Sequence, residues 1–231
     1  MKLLKYLCLS CVASLVFAQA FAMGGSRTHA LGIGAILMSP SQDDLGASID
    51  AFNAANGTAI SKPSTAYEGF IQYSYRFPST MFALVIRPSY FTQTTSGNGS
   101  SYALTGYTIF PMLKLYPLEN NFIHFFLQTG VGYGSLTGKI NHPNSSLTFS
   151  GGGFGALVGL GAEFCFTESQ CLAVEGNLRY LAIPRSVASA STGNSSEFSQ
   201  ATSGSELEFA NNDVKNTMSG IQGGLGYIFN F

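Results

Sequence analysis

The feature that most constrains this chain is a two-residue rhythm of polarity. From Phe154 to Phe166 the even positions Phe154, Ala156, Val158, Leu160, Ala162, Phe164 and Phe166 are all apolar, while the odd positions hold Gly153, Gly155, Leu157, Gly159, Gly161, Glu163 and Cys165. Period two is the mark of a strand with two unlike faces. The same rhythm recurs along the sequence. Leu172, Val174, Gly176, Leu178 and Tyr180 alternate with Ala173, Glu175, Asn177 and Arg179. Tyr67, Ile71, Tyr73, Tyr75 and Phe77 share one face, with Glu68, Gln72 and Arg76 on the other. Phe82, Leu84, Ile86 and Tyr90 oppose Arg87, and Pro88 marks a bulge or an unpaired position there. Tyr107, Ile109, Leu113 and Leu115 oppose Thr108, Phe110 and Lys114, and Ile123, Phe125, Leu127, Val131 and Tyr133 line one side of the segment 122–134. With His29–Met38 at one end and Thr217–Phe231 at the other, the sequence predicts eight strands.

The apolar face needs an apolar neighbour. Beyond residue 22 no uninterrupted apolar run reaches the ~18 residues of a membrane-spanning helix, which leaves the strands themselves to meet lipid. A chain in lipid must satisfy its backbone internally, so strands cross a bilayer only as a closed barrel. The charges offer a check on this, because the faces were assigned from apolar residues alone. Glu68, Arg76, Arg87, Lys114, Glu163, Glu175 and Arg179 all fall on the inward face. Random placement would achieve that about one time in a hundred, whereas a barrel demands it, since a charge at the bilayer midplane costs about 2–4 kcal/mol. The expected fold is therefore all-β: a transmembrane antiparallel up-and-down barrel of eight strands.

The start of the chain reads as an export signal. Lys2 and Lys5 are followed by the apolar run 7–17 and by Ala20-Phe21-Ala22, whose small-x-small spacing predicts cleavage after Ala22; Ala18-Gln19-Ala20 is a weaker site. An uncleaved helix would barely span a bilayer, and a lipoprotein site at Cys11 would remove most of the apolar segment. The expected organisation is a signal peptide over 1–22 and a single barrel domain over 23–231, placed in the outer membrane and surrounded by its lipid. Cleavage takes two of the eleven basic residues, leaving nine against twelve acidic ones, a formal charge of −3 with no basic patch for nucleic acid. It also leaves Cys165 and Cys171 as an exported pair. Both share the inward face, and a turn centred on Glu168 would set them directly opposite each other, about 4.5–5.5 Å apart at Cβ, close enough for a disulfide after a small adjustment. The periplasm is oxidising enough to form it.

Connections alternate in length. The turns near Pro78, Asn120 and Glu168 are short, whereas Pro40–Ala66, Thr92–Ser101, Ser135–Gly152 and Ser186–Lys215 are long and rich in Ser, Thr, Asn and Gly, and read as mobile surface loops. That pattern puts both termini at the periplasmic end and the long loops outside the cell.

Two local motifs carry a resemblance. Lys114-Leu115-Tyr116-Pro117 followed by the strand ending Gly130-Val131-Gly132-Tyr133-Gly134, and the terminal Gly226-Tyr227-Ile228-Phe229-Asn230-Phe231, resemble the small outer-membrane β-barrels of the OmpA/OmpX/OmpW and opacity-protein type. The terminal motif, Gly226 with Tyr227, Phe229 and Phe231, is similar to the signal read by the barrel-assembly machinery, although Gly224 stands where a polar residue is usual. The resemblance implies that machinery and periplasmic chaperones as partners during biogenesis, and it covers adhesins, small channels and structural barrels alike.

No catalytic centre, cofactor or metal site is expected. The glycines at 151–153, 155, 159 and 161 lack the following helix and Lys-Ser/Thr of a phosphate loop, and read as space for larger lumen side chains. His29, His124 and His142 have no partners at ligand spacing. His142 beside Ser145 is the only local pairing of a base with a hydroxyl, without the third member a lipid-cleaving site needs. Asp43, Asp44, Asp50, Glu206, Glu208 and Asp213 make the loops acidic, a solvated surface with at most weak affinity for divalent cations. An eight-stranded barrel is just wide enough for side chains to fill it, so the seven inward charges are expected to pair and close the lumen. Phe70, Phe91, Phe110, Phe126 and Leu157 point into the same space. The leading expectation is thus a structural or surface-interaction barrel, ahead of a small passive channel and well ahead of a lipid-modifying enzyme.

Overall fold

The computed structural model describes residues 27–193, 201–209 and 212–231. The predicted signal peptide and its cleavage site lie outside them. Seven long strands follow in order: β1 (His29–Pro40), β2 (Ala66–Arg76), β3 (Phe82–Gly97), β4 (Ser100–Glu119), β5 (Ile123–His142), β6 (Ser145–Thr167) and β7 (Gln170–Ile183). Short pieces β8 (Val187–Thr192), β9 (Glu208–Phe209), β10 (Asn212–Asp213) and β11 (Asn216–Thr217) precede the last long strand, β12 (Gly220–Asn230). Each long strand pairs antiparallel with its sequence neighbour, β12 pairs with β7, and β12 returns to β1 with Ala30 opposite Asn230 and Pro40 opposite Gly220. Eight strands therefore close into a barrel with no free edge, as a membrane wall requires.

The faces fall where alternation places them. Ile33, Leu37, Tyr67, Ile71, Leu84, Leu127, Val158, Leu160 and Leu178 are exposed on the outside, while Glu68, Arg87, Lys114, Glu163, Glu175 and Arg179 are buried inside. The apolar band is bordered above by Tyr67, Tyr90, Tyr107, Tyr133, Phe154 and Tyr180 and below by Phe77, Phe82, Phe122 and Phe166. On β5 the ten steps from Ile123 to Tyr133 span about 26 Å along the membrane normal at a 40° tilt, the height of the apolar band of such barrels. Pro88 interrupts the ladder without a bulge: pairing of β2 with β3 stops after Phe70–Ser89 and resumes at Tyr73–Ile86 in the same register.

The long end departs from the sequence reading. Thr92–Ser101 is not a loop: β3 and β4 continue to a two-residue turn at Asn98 and Gly99, both at positive φ (51° and 76°). This is the mirror-image turn whose twist matches paired strands. Ser135–Gly152 is likewise strand up to a turn at Pro143-Asn144. Along these extensions the polarity of the faces inverts. Leu136, Ile140, Leu147 and Phe149 now point inward and Ser135, Thr137, Thr148 and Ser150 outward, because above the tyrosine ring the outside is water. Pro40–Ala66 contains a helix, α1 (Asp43–Asn56), with Asp43 and Asp44 in its first turn and Gly57 in the left-handed conformation (φ 64°) closing its end. Within Ser186–Lys215, β8 pairs with the top of β6. The final strand starts at Gly220, later than Thr217.

Candidate functional site

The lumen is organised as a stack of polar layers, each held by residues from opposite walls. In the lowest, Arg76 forms a two-point ion pair with Glu119, with Nη1 donating to Oε1 at 2.7 Å, and His124 stands 3.6 Å from the same carboxylate. Above it, Lys114 Nζ donates to Glu163 Oε1 (3.2 Å), which also accepts the Tyr116 hydroxyl proton (3.0 Å). In the next layer Arg87 faces Glu175, with Nη2 donating to Oε2 at 2.8 Å and to Gln72 Oε1 at 2.7 Å. Gln128 and Asn177 complete that layer, Asn177 donating to Glu175 at 3.0 Å and Gln128 to Asn177 at 2.7 Å. In the uppermost layer Arg179 Nη1 donates to both oxygens of Glu68 (2.7 and 3.0 Å) and its Nε to the Met218 carbonyl (2.7 Å). Ser89 donates to Glu68 from the side.

Aromatic rings separate the layers. Arg76 lies over Tyr116 (4.8 Å to the centroid), Lys114 over Phe126 (4.0 Å) and Arg87 over Phe70 (4.3 Å). A desolvated cation gains from a ring face, so these plates fill volume and hold charge together. Glycines supply the room: a Cβ on Gly161 would come within 2.5 Å of the Phe126 ring, and one on Gly132 within 2.6 Å of Phe110. Among the described residues three cations and three anions are buried, so their charges balance.

One of the seven expected network residues is only partly buried. Arg76 is at the short-turn rim, about 29% exposed, because β2 ends there and its partner Glu119 comes from the end of β4. Glu119 and Tyr116 are members that alternation did not single out. Tyr116 keeps the inward parity of Lys114 and escapes notice only because it carries no charge, whereas the chain shifts register between Leu115 and Leu118, so parity counted from Leu115 fails at Glu119.

The same rim holds the two cysteines. Cys165 and Cys171 are opposite partners on β6 and β7, joined by a disulfide, with Asn230 Nδ2 3.4 Å from the Cys171 sulfur. A cavity of about 400 Å³ opens at this end between Arg27, His29, Arg76, Glu119 and His124, and its lining reaches up the lumen to Ala83, Tyr116 and Glu163. Tyr227 faces outward on β12, and Phe229 and Phe231 stack at the lower border (centroids 6.3 Å), while Gly226 turns inward.

At the opposite end the mouth is covered by a second, apolar layer. Leu45 and Ile49 of α1 pack with Tyr102, Leu136, Phe149 and Met218 in one buried cluster, against which Phe52 lies. The cover is tied down by polar contacts. The Gln42 side chain donates to Thr217 O (2.6 Å) and accepts from Thr217 N (3.1 Å), and Asp44 accepts the Lys215 amide (2.8 Å). His142 bonds Ser100 (2.8 Å) and stacks on Phe52 (centroids 4.2 Å). The loop acids meet bases: Asp50 pairs with Lys62, and Glu206 and Asp213 both pair with Arg185. Among the described residues no group of three His, Cys, Asp or Glu side chains is placed to hold a metal ion.

No protein-family model matches the sequence, and no curated protein matches it either. Solved structures do. The outer membrane protein OprG from Pseudomonas aeruginosa superposes with a TM-score of 0.54 at 12% identity, over 90% of this chain and 98% of that one. A major outer membrane protein from Thermus thermophilus gives a TM-score of 0.52 at 11% identity, over 87% and 99%. At such identities the likeness speaks for architecture alone. What this chain shares with them is the fold of the small outer-membrane β-barrels.

Proposed function

We propose that this protein is an integral outer-membrane barrel with a closed lumen, which acts as a structural or surface-interaction element and not as a pore or an enzyme. The single observation that carries the reading is the stack of three buried ion pairs, Lys114–Glu163, Arg87–Glu175 and Arg179–Glu68, set beneath an apolar cover. A conducting path would need water alongside these charges, whereas they satisfy one another across the lumen and leave no net field for a permeant ion. The cavity at the short-turn end rises only to the lowest buried pair. The short-turn end, with both termini, faces the periplasm, and α1 with the long hairpins faces outward. Tyr227, Phe229 and Phe231 serve the assembly machinery before they serve the membrane border. The test is conductance of the refolded protein in planar bilayers. The proposal expects no stable unitary events in molar potassium chloride at 100 mV, and reproducible open states would overturn it.

A further inference from the structure

Above the tyrosine ring, β3, β4, β5 and β6 stand clear of the apolar band as one continuous sheet, widened by β8. From Tyr107 up to Ser101 the wall rises by about 15 Å along the membrane normal. Its outward residues line up in cross-strand rows. Thr92 faces Thr105, Thr105 faces Thr137 and Thr137 faces Ser150; higher up, Ser96, Ser101, Asn141, Ser146 and Thr192 follow one another in the same way. Neighbouring hydroxyls on such a face lie about 4.8 Å apart across the strands and about 6.8 Å apart along them.

A sheet face that only has to stay wet carries charges, about a quarter to a third of its residues on soluble surfaces. This one carries Lys139 alone, although the same end of the molecule has nine other charged residues among those described, all of them on α1, on Lys62 or between Arg185 and Lys215. Charge has been kept off one wall and concentrated on the cover beside it. What remains is two rows rich in hydroxyl and amide donors and acceptors, with threonine methyls, Ala103, Ala190 and Val187 between and beside them, bordered below by Tyr90 and Tyr107 (ring centroids 5.2 Å apart).

We infer that this hydroxyl face is a docking surface for an uncharged polysaccharide of the cell's own surface layer, lying against the wall just above the outer leaflet. The inference rests on the orientation given under Proposed function. Hydroxyl rows pair with sugar hydroxyls, the methyls and tyrosine rings meet the C–H faces of sugar rings, and the shortage of charge fits a partner without phosphates or acids. A phosphate-bearing glycan would call for clustered Arg or Lys, which this face lacks.

The experiment uses the barrel in nanodiscs and, as probe, surface polysaccharide of the producing cells released by mild acid and stripped of charged chains on an anion exchanger. Wild type should bind it, and the row variant T92V/T105V/T137V/S150A, shown to be folded by its heat-modifiable gel mobility, should lose about ten-fold or more in affinity through the lost hydrogen bonds. The cover variant D43N/D44N/E208Q should stay within about two-fold of wild type, because its changes leave that row untouched. No binding by wild type, an unchanged row variant, or binding only of the charged fraction through Lys139 would each overturn the proposal, as would self-association of nanodisc barrels through this face. Labelling of N144C, at the exposed tip of the β5–β6 hairpin and off the hydroxyl rows, on intact cells by an impermeant maleimide separates the two readings. An unlabelled thiol sinks the orientation and the docking surface together, whereas a labelled one without glycan binding sinks the docking surface alone.

Discussion

Removing Arg179 is the sharpest probe of a dry lumen. Arg179→Met leaves Glu68 facing a thioether where a guanidinium stood, at a site where the two side chains are 1% and 2% exposed. With charge centres about 4 Å apart and an effective dielectric near 20, the lost attraction is about 4 kcal/mol. That agrees with the about 3–5 kcal/mol found when one partner of a buried pair is removed. The Met218 carbonyl also loses its donor, adding about 1 kcal/mol. Urea unfolding of the barrel refolded in phosphatidylcholine vesicles, followed by far-ultraviolet circular dichroism and gel mobility, should therefore show a loss of about 4–5 kcal/mol. The double variant Glu68→Gln/Arg179→Met carries no orphaned charge and should recover to within about 2 kcal/mol of the parent. A single-variant loss under about 1 kcal/mol, the range of solvated pairs, would refute the reasoning and open the lumen to water.

Gly161→Leu should destabilise the barrel by about 1–3 kcal/mol in the same titration, since its Cβ already presses on Phe126. Mass spectrometry of unreduced protein from the envelope should find no free thiol at Cys165 or Cys171, and replacing both by Ala should cost about 2 kcal/mol, as expected for so short a loop, without disturbing the other strands. Deleting Phe231 should lower the amount of heat-modifiable barrel in the outer membrane, and unchanged assembly would show that the terminal motif is not a signal. Protease added to intact cells should cut between residues 186 and 215 and spare Thr167–Gln170; the reverse would invert the orientation.

Much of the wall was legible because one rule governs it: lipid outside forces apolar residues onto alternate positions, and the charges follow inward. The rule stopped serving where its cause stops. Above Tyr133 water replaces lipid, the faces exchange polarity, and Ser135, Thr137 and Thr148 look like loop composition although Leu136, Ile140, Leu147 and Phe149 keep the two-residue beat. Asn98-Gly99 was a hairpin signal in plain sight, concealed by its setting among Thr, Ser and Gly. Helix α1 had its own signature in Leu45, Ile49 and Phe52 at helical spacing between an acidic start and Gly57. Which cation meets which anion was not legible, since Glu68 and Arg179 are 111 residues apart and only barrel closure brings them together. Nor was the rim pair Arg76–Glu119, because the irregularity after Leu115 resets the count.

The exchange of polarity along the long strands also gives the molecule a waterline. On β5 the outward residues pass from Val131 and Tyr133 to Ser135, Thr137 and Lys139 within a few positions. One alternation step is about 5 Å of vertical travel. Sinking by two such steps would bring Lys139 toward acyl chains, where a basic residue costs up to about 2–4 kcal/mol, and rising would lift the lower phenylalanine ring into the film. The barrel cannot bob to suit a thicker or thinner membrane. Lipid must stretch or compress around it, at a fraction of a kcal/mol per ångström of mismatch, so patches of bilayer that match the band will gather the protein and others will shed it.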